Sequence, residues 1–226
     1  MIDRDYASQY RKSDEEEVQS DNHEHLCKTL NQISLSFGRP IRALDLGCGT
    51  GRYFHCFHNV ARLTALDGSI DMLNEARDPV RRERMNIGGV DLICANVLEL
   101  PIRMQFELIY SIGVFGELIP WDVPICTRLF DALTPGGKLF FTVVDVFSKY
   151  PYMTHKRRIA ETVNLALPPL WKRKLRERLG TCYMSKYELI RIFKKSKFGK
   201  FEIVRHVSTA RFWKGAHYNC TATKLL

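Results

Sequence analysis

No uninterrupted apolar run among the 226 residues approaches the ~20 that a membrane-spanning helix requires. The polar start MIDRDYASQYRKSDEEE lacks the apolar segment of a secretory signal. Together these two absences make a cytoplasmic protein the expectation. Cys-x-x-Cys pairs are absent as well. The seven cysteines are dispersed, at 27, 48, 56, 94, 126, 182 and 220, which favours thiols in a reducing compartment over a disulfide framework. HCFH, His55 to His58, puts two imidazoles where one helix face would carry both. No second ligand cluster stands near it in sequence, so no metal is expected. Internal repeats, low-complexity tracts and long linkers are missing too.

What is present is an ordinary globular balance, 45% hydrophobic and 26% charged, with an uneven distribution of charge. Residues 149–226 hold 19 Lys/Arg against 4 Asp/Glu, whereas residues 1–148 hold 15 against 21. Such asymmetry bears on partners rather than on fold. HLCKTLNQISLSF has helical apolar spacing and GRP stops it. IRALDL, RLTALD, VDLICAN, FELIYSIGV and KLFFTVV read as strands, with RYFHCFHNV read as the helix after the first and VPICTRLFDAL as the helix after the fourth. Ser69 is placed to cap a helix from Ile70, with Asp71 in its first turn. SKYELIRIFKKSKF opens on a Ser185–Glu188 capping box. KFEIVRHVS and HYNCTATKL then form an antiparallel pair. Strands alternating with helices imply an α/β fold built on a mostly parallel, doubly wound sheet.

The stretch ALDLGCGTGRY, Ala43 to Tyr53, passes from a buried strand into Gly47, Gly49 and Gly51. Glycine at such a turn permits unusual backbone angles and close approach by a ligand, and ligands of open parallel sheets bind beyond the strand carboxyl ends. The spacing is neither that of a dinucleotide pyrophosphate site nor that of a phosphate loop with its Lys-Ser/Thr. Asp67 ends the next strand and is placed to accept from two ribose hydroxyls. Asn96 ends the third, with an amide that can donate and accept at a base edge.

On these residues the chain resembles the class I (Rossmann-like) S-adenosylmethionine-dependent methyltransferases. ALDLGCGTG, LTALDGSIDML, CANVLELP, FELIYSIGVFGEL and LTPGGKLFFTV match the five motifs of that family in order, over roughly residues 40–145. The resemblance implies a seven-stranded sheet with an antiparallel last strand and S-adenosyl-L-methionine as the cofactor. It divides one methyltransferase domain (1–226) into a helical arm (1–36), a cofactor-binding core (37–145), a basic helical lid insertion (146–182) and a final helix with a strand pair (183–226). Carried over by position, Asp45, Gly47, Cys48 and Gly49 border the methionyl end, with Gly51 completing the turn. Asp67, Gly68, Ser69 and Met72 meet ribose and adenine, and Asn96 and Val97 read the adenine edge. Ser111, Ile112 and Gly113 face the cofactor and the incoming acceptor. Asn96 departs from the Asp that many members carry. Tyr10, with Tyr6, resembles an aromatic arm folded over the cofactor, the alternative being an amphipathic helix packed on the sheet.

Methyl transfer from a sulfonium is an in-line displacement, and a general base is needed only for an acceptor that arrives protonated. Glu117, Asp145, Tyr150 and His155 are the candidate catalytic residues. In the insertion, HKRR (155–158) and KRKLRER (172–178) cluster cations, while Leu170, Trp171, Leu175 and Leu179 share one helix side. The expected acceptor is a small-molecule substrate, anionic or partly apolar. RNA along the basic third is the alternative, with Tyr150, Tyr152 and Trp171 to stack bases. Transient contact with an anionic membrane, giving access to a lipid or quinone-like acceptor, and a non-catalytic scaffold are the others.

Overall fold

The computed structural model describes residues 3–99, 105–148, 182–208 and 215–225, together with isolated positions between 159 and 174. Tyr150, Tyr152, His155, the 155–158 cations, Leu170, Leu175, Leu179 and most of 172–178 lie outside the described residues. Of the insertion, Trp171 is helical and 66% exposed, with Lys174 Nζ 6.0 Å from its ring centroid.

Seven strands form one sheet: β1 Ile41–Leu46, β2 Val60–Asp67, β3 Val90–Cys94, β4 Phe106–Ser111, β5 Leu133–Val144, β6 Lys200–Ser208 and β7 Gly215–Thr223. Their order is β3-β2-β1-β4-β5-β7-β6. The first five pair in parallel, and β7 runs antiparallel to both β5 and β6. β5 starts at Leu133, five residues before KLFFTVV, because Leu133 pairs with Phe106 of β4 ahead of a register shift, while Gly136 and Gly137 of the TPGG turn bond to Lys224. Among the described residues five complete helices accompany the sheet: α1 Arg4–Glu17, α2 Asp21–Leu35, α3 Ile70–Ala76, α4 Val123–Ala132 and α5 Lys186–Lys194.

Alternation along the strands sends side chains to two cores. Leu139, Phe141 and Val143 of β5 face one way, with Trp121, Leu129, Leu189 and Phe193 from the α4 and α5 side. Phe140 faces the other, with Leu108, Tyr110, Leu26, Leu30 and Leu73 from β4, α2 and α3. The period of two in sequence thus becomes a layer on each face, as a doubly wound sheet requires. The caps are those expected: the Ser69 hydroxyl accepts from Met72 N–H, and Ser185 and Glu188 close a reciprocal box.

RYFHCFHNV is not a helix. Only Phe54–Cys56 forms a single 3-10 turn, and Phe57 is already extended. Tyr53, Phe54, Cys56 and Phe57 are all buried. With both sides of the segment covered, no solvent face is left for an amphipathic helix, and eight residues separate Gly51 from β2. The dispersed-thiol reading is corrected as well. Cys27 and Cys56 are joined in a disulfide, because α2 crosses directly over the 3-10 turn and brings together two residues 29 apart in sequence. Cys48, Cys94, Cys126 and Cys220 remain thiols.

Candidate cofactor site

β1 ends in a turn whose glycines are needed for different reasons. Gly47 (φ 75°) leaves no room for a side chain, since a Cβ there would stand 2.3 Å from Val114 Cγ2. Gly51 (φ 80°) is filled from behind by the Phe54 ring and serves the turn rather than the cavity wall. Gly49 lies between them, and its N–H donates to Asp67 Oδ2 at 2.9 Å. The other oxygen, Oδ1, accepts from Ser69 N–H at 2.9 Å. Asp67 therefore ties the tip of β2 to the turn after β1. Each carboxylate oxygen keeps a second lone pair, and Asp67 lines the cavity beside it.

That cavity measures about 840 Å³, within the range of ~300–1,000 Å³ usual for small-molecule sites. Of the residues singled out from sequence, Gly47, Gly49, Asp67, Gly68, Ser69, Met72, Asn96, Val97, Ile112 and Gly113 line it, with Tyr6, Tyr10 and Glu117. Ile70, Asp71, Val114, Leu118 and Ile119 also line it and were not singled out from sequence. Their position three to eight residues beyond the strand tips is the signal that would have found them. A small enclosed space of about 30 Å³ adjoins through shared residues, walled by Asp45, Cys48, Thr50, Arg52 and Tyr53.

Some expected residues do other work. Ser111 is fully buried, and its hydroxyl donates to Leu46 O at 2.7 Å, clamping β4 to β1 away from the cavity. Asn96 lines the cavity, but its Oδ1 accepts from Leu98 N–H at 2.9 Å and its amide nitrogen donates to Glu99 at 3.4 Å. The side chain thus caps the 3-10 turn Val97–Glu99. Asp145 is 1% exposed and ion-paired to Arg205 at 2.8 Å. It does not line the cavity, because the end of β5 turns its carboxylate toward the β6–β7 side of the sheet. Of the four catalytic candidates, Glu117 is the one that the described residues place in the cavity wall.

Burial sets the electrostatics. Asp45 is 2% exposed. Desolvation pushes its carboxyl up to about 8; the Tyr110 hydroxyl opposes that shift and the neighbouring Asp67 adds to it. Among the described residues no ion pair reaches Asp45. Desolvation alone raises Glu117 to about 7. Burial pushes the Cys48 thiol up, and the Asp45 and Asp67 carboxylates push it further, so Cys48 is an inert wall residue.

α1 packs on α3, and its Tyr10 lines both cavities. A buried network, which sequence reading missed, pins it there. Asp14, fully buried, accepts from the Thr50 hydroxyl and pairs with Arg52. The Arg52 guanidinium lies 5.3 Å from the Tyr10 ring and 5.9 Å from that of Tyr53. Asp14 stands in an acid-rich run that reads as solvated, so nothing local distinguishes it.

Two features fit S-adenosylmethionine. A buried carboxylate without a cation stands beside the glycine turn, where the amino acid end of the cofactor carries an ammonium. The tip of β2 offers acceptor lone pairs where a ribose carries two hydroxyls. Sheet order, reversed β7 and this cavity define the class I, Rossmann-like S-adenosylmethionine-dependent methyltransferase fold. The comparisons agree with that fold: residues 43–137 match the family model described as a methyltransferase domain.

The chain is 33% identical over 117 residues to a malonyl-[acyl-carrier protein] O-methyltransferase of Priestia megaterium, covering 50% of this chain and 40% of that protein. It is 30% identical over 148 residues to a trans-aconitate 2-methyltransferase of Rhodopseudomonas palustris, covering 64% and 52%. The chain thus spans about half the length of these curated relatives or less. The N-methyltransferase NodS of Bradyrhizobium japonicum, solved with S-adenosyl-L-homocysteine, superposes with a TM-score of 0.59 at 17% identity, over 95% of this chain and 97% of that one. This last likeness is one of fold. No helix among the described residues is long and apolar enough to cross a membrane.

Proposed function

We propose that the chain transfers a methyl group from S-adenosylmethionine to a small carboxylate-bearing, partly apolar metabolite. The observation carrying this reading is the cavity that joins the glycine turn, the β2 tip and the apolar wall after β4. When bound, S-adenosylmethionine supplies a methyl group already activated by its sulfonium. Asp45 holds the ammonium, Asp67 accepts from the ribose hydroxyls, and the N–H groups after β3 face the base. Met72 and Ile70 supply apolar surface beside it. Tyr6 and Tyr10 cover the site from α1, where aromatic faces suit a cation. Holding an acceptor at near-attack distance in such a dry pocket is worth up to ~7–11 kcal/mol.

Val114, Leu118 and Ile119 make the acceptor side apolar, with Glu117 among them. An ionised carboxylate presents a free lone pair, so no proton has to leave it. Glu117, held near neutrality, then donates a hydrogen bond from its protonated form and orients the acceptor. The printed names of the curated relatives, malonyl- and aconitate-directed, support this acceptor class. The experiment is incubation with methyl-labelled cofactor and a cell extract, followed by fractionation. Label in base-labile methyl esters of small acids supports the reading. Label confined to RNA, protein or lipid overturns it.

A further inference from the structure

Away from the cofactor cavity, α2 and the 3-10 turn bring together four side chains that the proposed reaction does not use. His23 and Cys27 stand four residues apart on one face of α2, and His55 and Cys56 belong to the turn that follows the glycine loop. The two imidazoles aim Nε2 at each other across 3.2 Å. Cys27 Sγ lies 3.3 Å from His23 Nε2 and 3.9 Å from His55 Nε2. All four ligand atoms fall within 4.8 Å of one another. We propose that His23, Cys27, His55 and Cys56 form a binding site for a zinc-class divalent cation, which staples α2 to the segment leaving the glycine turn.

The geometry fits the ion. Zinc–nitrogen bonds of ~2.0–2.1 Å and zinc–sulfur bonds of ~2.3 Å, arranged tetrahedrally, put neighbouring ligand atoms roughly 3.3–3.8 Å apart. The donor set suits zinc as well. Two thiolates and two neutral imidazoles around a divalent cation make a unit of zero net charge, which is the kind that burial tolerates. Both Nδ1 atoms are buried with no hydrogen-bond partner, and both Nε2 atoms point to the centre of the cluster. A recess of about 530 Å³, rimmed by Lys28, Arg81 and Arg84, opens onto the four residues and gives an ion its entry path.

The Cys27–Cys56 disulfide is the alternative state of the same site. It accounts for the two sulfurs but leaves two neutral imidazoles facing each other with room for one shared proton; a metal accounts for all four side chains. A small thiol reductant interconverts the states. Two thiol equivalents open the disulfide to two cysteine thiols and leave as their own disulfide, and cation entry then displaces the two thiol protons. His58, the second imidazole of HCFH, is exposed and takes no part.

The test is a titration of the reduced, metal-stripped full chain with Co²⁺. One equivalent is expected to bring up thiolate-to-cobalt charge transfer and tetrahedral d–d bands, both quenched by Zn²⁺, and to raise the thermal midpoint. The chain with its disulfide intact should show neither band. Cys27→Ser and His55→Ala are expected to weaken binding at least tenfold, whereas Cys94→Ser changes nothing. Reduced wild-type chain that develops no such bands in excess Co²⁺ overturns the proposal, and needs no variant to fold. So do bands that persist with the disulfide intact, or in a folded Cys27→Ser Cys56→Ser double variant.

Discussion

Asp45 makes the cofactor affinity depend on pH in a way that can be calculated. In the ligand-free chain its carboxyl titrates at about 8, so it is mostly protonated at neutral pH. Gripping an ammonium requires the ionised form, and binding therefore releases a proton wherever the free carboxyl is protonated. Well below pH 8 each pH unit then costs about 1.4 kcal/mol. At pH 6 S-adenosyl-L-homocysteine should bind roughly twentyfold more weakly than at pH 8, a difference of about 1.8 kcal/mol, because at pH 8 the carboxyl and the amine are each only about half in the binding form. Above pH 8 the gain stops, because an α-amino group itself loses its proton near ~7.7–8.0. Isothermal titration calorimetry between pH 6 and 8.5 measures this, and repeating it in buffers of different ionisation enthalpy counts the released proton directly. Asp45→Asn should bind weakly and lose the slope below pH 8. A wild-type affinity that stays level from pH 6 to pH 8, with no proton released, would refute the pairing of Asp45 with the cofactor amine.

Asp67→Ala should weaken S-adenosyl-L-homocysteine more than tenfold, since it removes the acceptor for Gly49 and Ser69 N–H as well as for the ribose; hydrogen bonds to a charged group are worth ~1.5–3 kcal/mol each. Unchanged affinity by the same calorimetry removes Asp67 from the site. Asp14→Ala removes the carboxylate that pairs with the buried Arg52 guanidinium, and urea unfolding should show a loss of about 3–5 kcal/mol, part of it restored in Asp14→Leu Arg52→Met. Equal stability of Asp14→Ala and wild type would mean that the arm is not anchored there. For Glu117, which titrates at about 7, the KM of an anionic acceptor should rise as pH passes above 7, and Glu117→Gln should abolish that rise with little change in kcat. A fall in kcat of ~10²–10⁴ in Glu117→Gln would instead make Glu117 a base and the acceptor a protonated one. The RNA and membrane readings meet their own checks: nuclease-sensitive absorbance near 260 nm in the purified chain, or sedimentation with anionic liposomes lost in Trp171→Ala, would displace the small-molecule reading.

Features encoded by contiguous residues could be read from the sequence, and features made by crossings could not. The strands, the caps at Ser69 and Ser185, and the order of the five motifs all follow from local spacing, so the sheet and the β1, β2 and β3 tips were legible. The 3-10 turn at Phe54–Cys56 was misread because its aromatic spacing mimics a helix face while burial on all sides forbids one. Ser111 and Asp145 stand at the correct strand ends, but at a strand end one residue of pleat decides between cavity and interior. Ser111 points to the Leu46 carbonyl, and Asp145 to Arg205 sixty residues away. Asp14 and the His23–Cys27–His55–Cys56 cluster join residues 28 to 38 apart in sequence. No local period reveals such pairs.

These crossings share one mechanical consequence. The glycine turn has three residues without side chains, so it takes much of its geometry from what surrounds it. Asp67 fixes Gly49 from the β2 tip. Asp14 fixes Thr50 and Arg52 from α1. The α2 cluster fixes His55 and Cys56 just beyond. α1 also carries Tyr10 onto the cavity, so the contact that orders the turn is the one that closes the site. Loosening the arm should therefore lower cofactor affinity even when every residue touching the cofactor is intact. Asp14→Ala separates the two contributions: an affinity loss that exceeds that of a Tyr6→Ala Tyr10→Ala double variant must arise in the turn itself, because among the described residues those two rings are what α1 brings to the cavity.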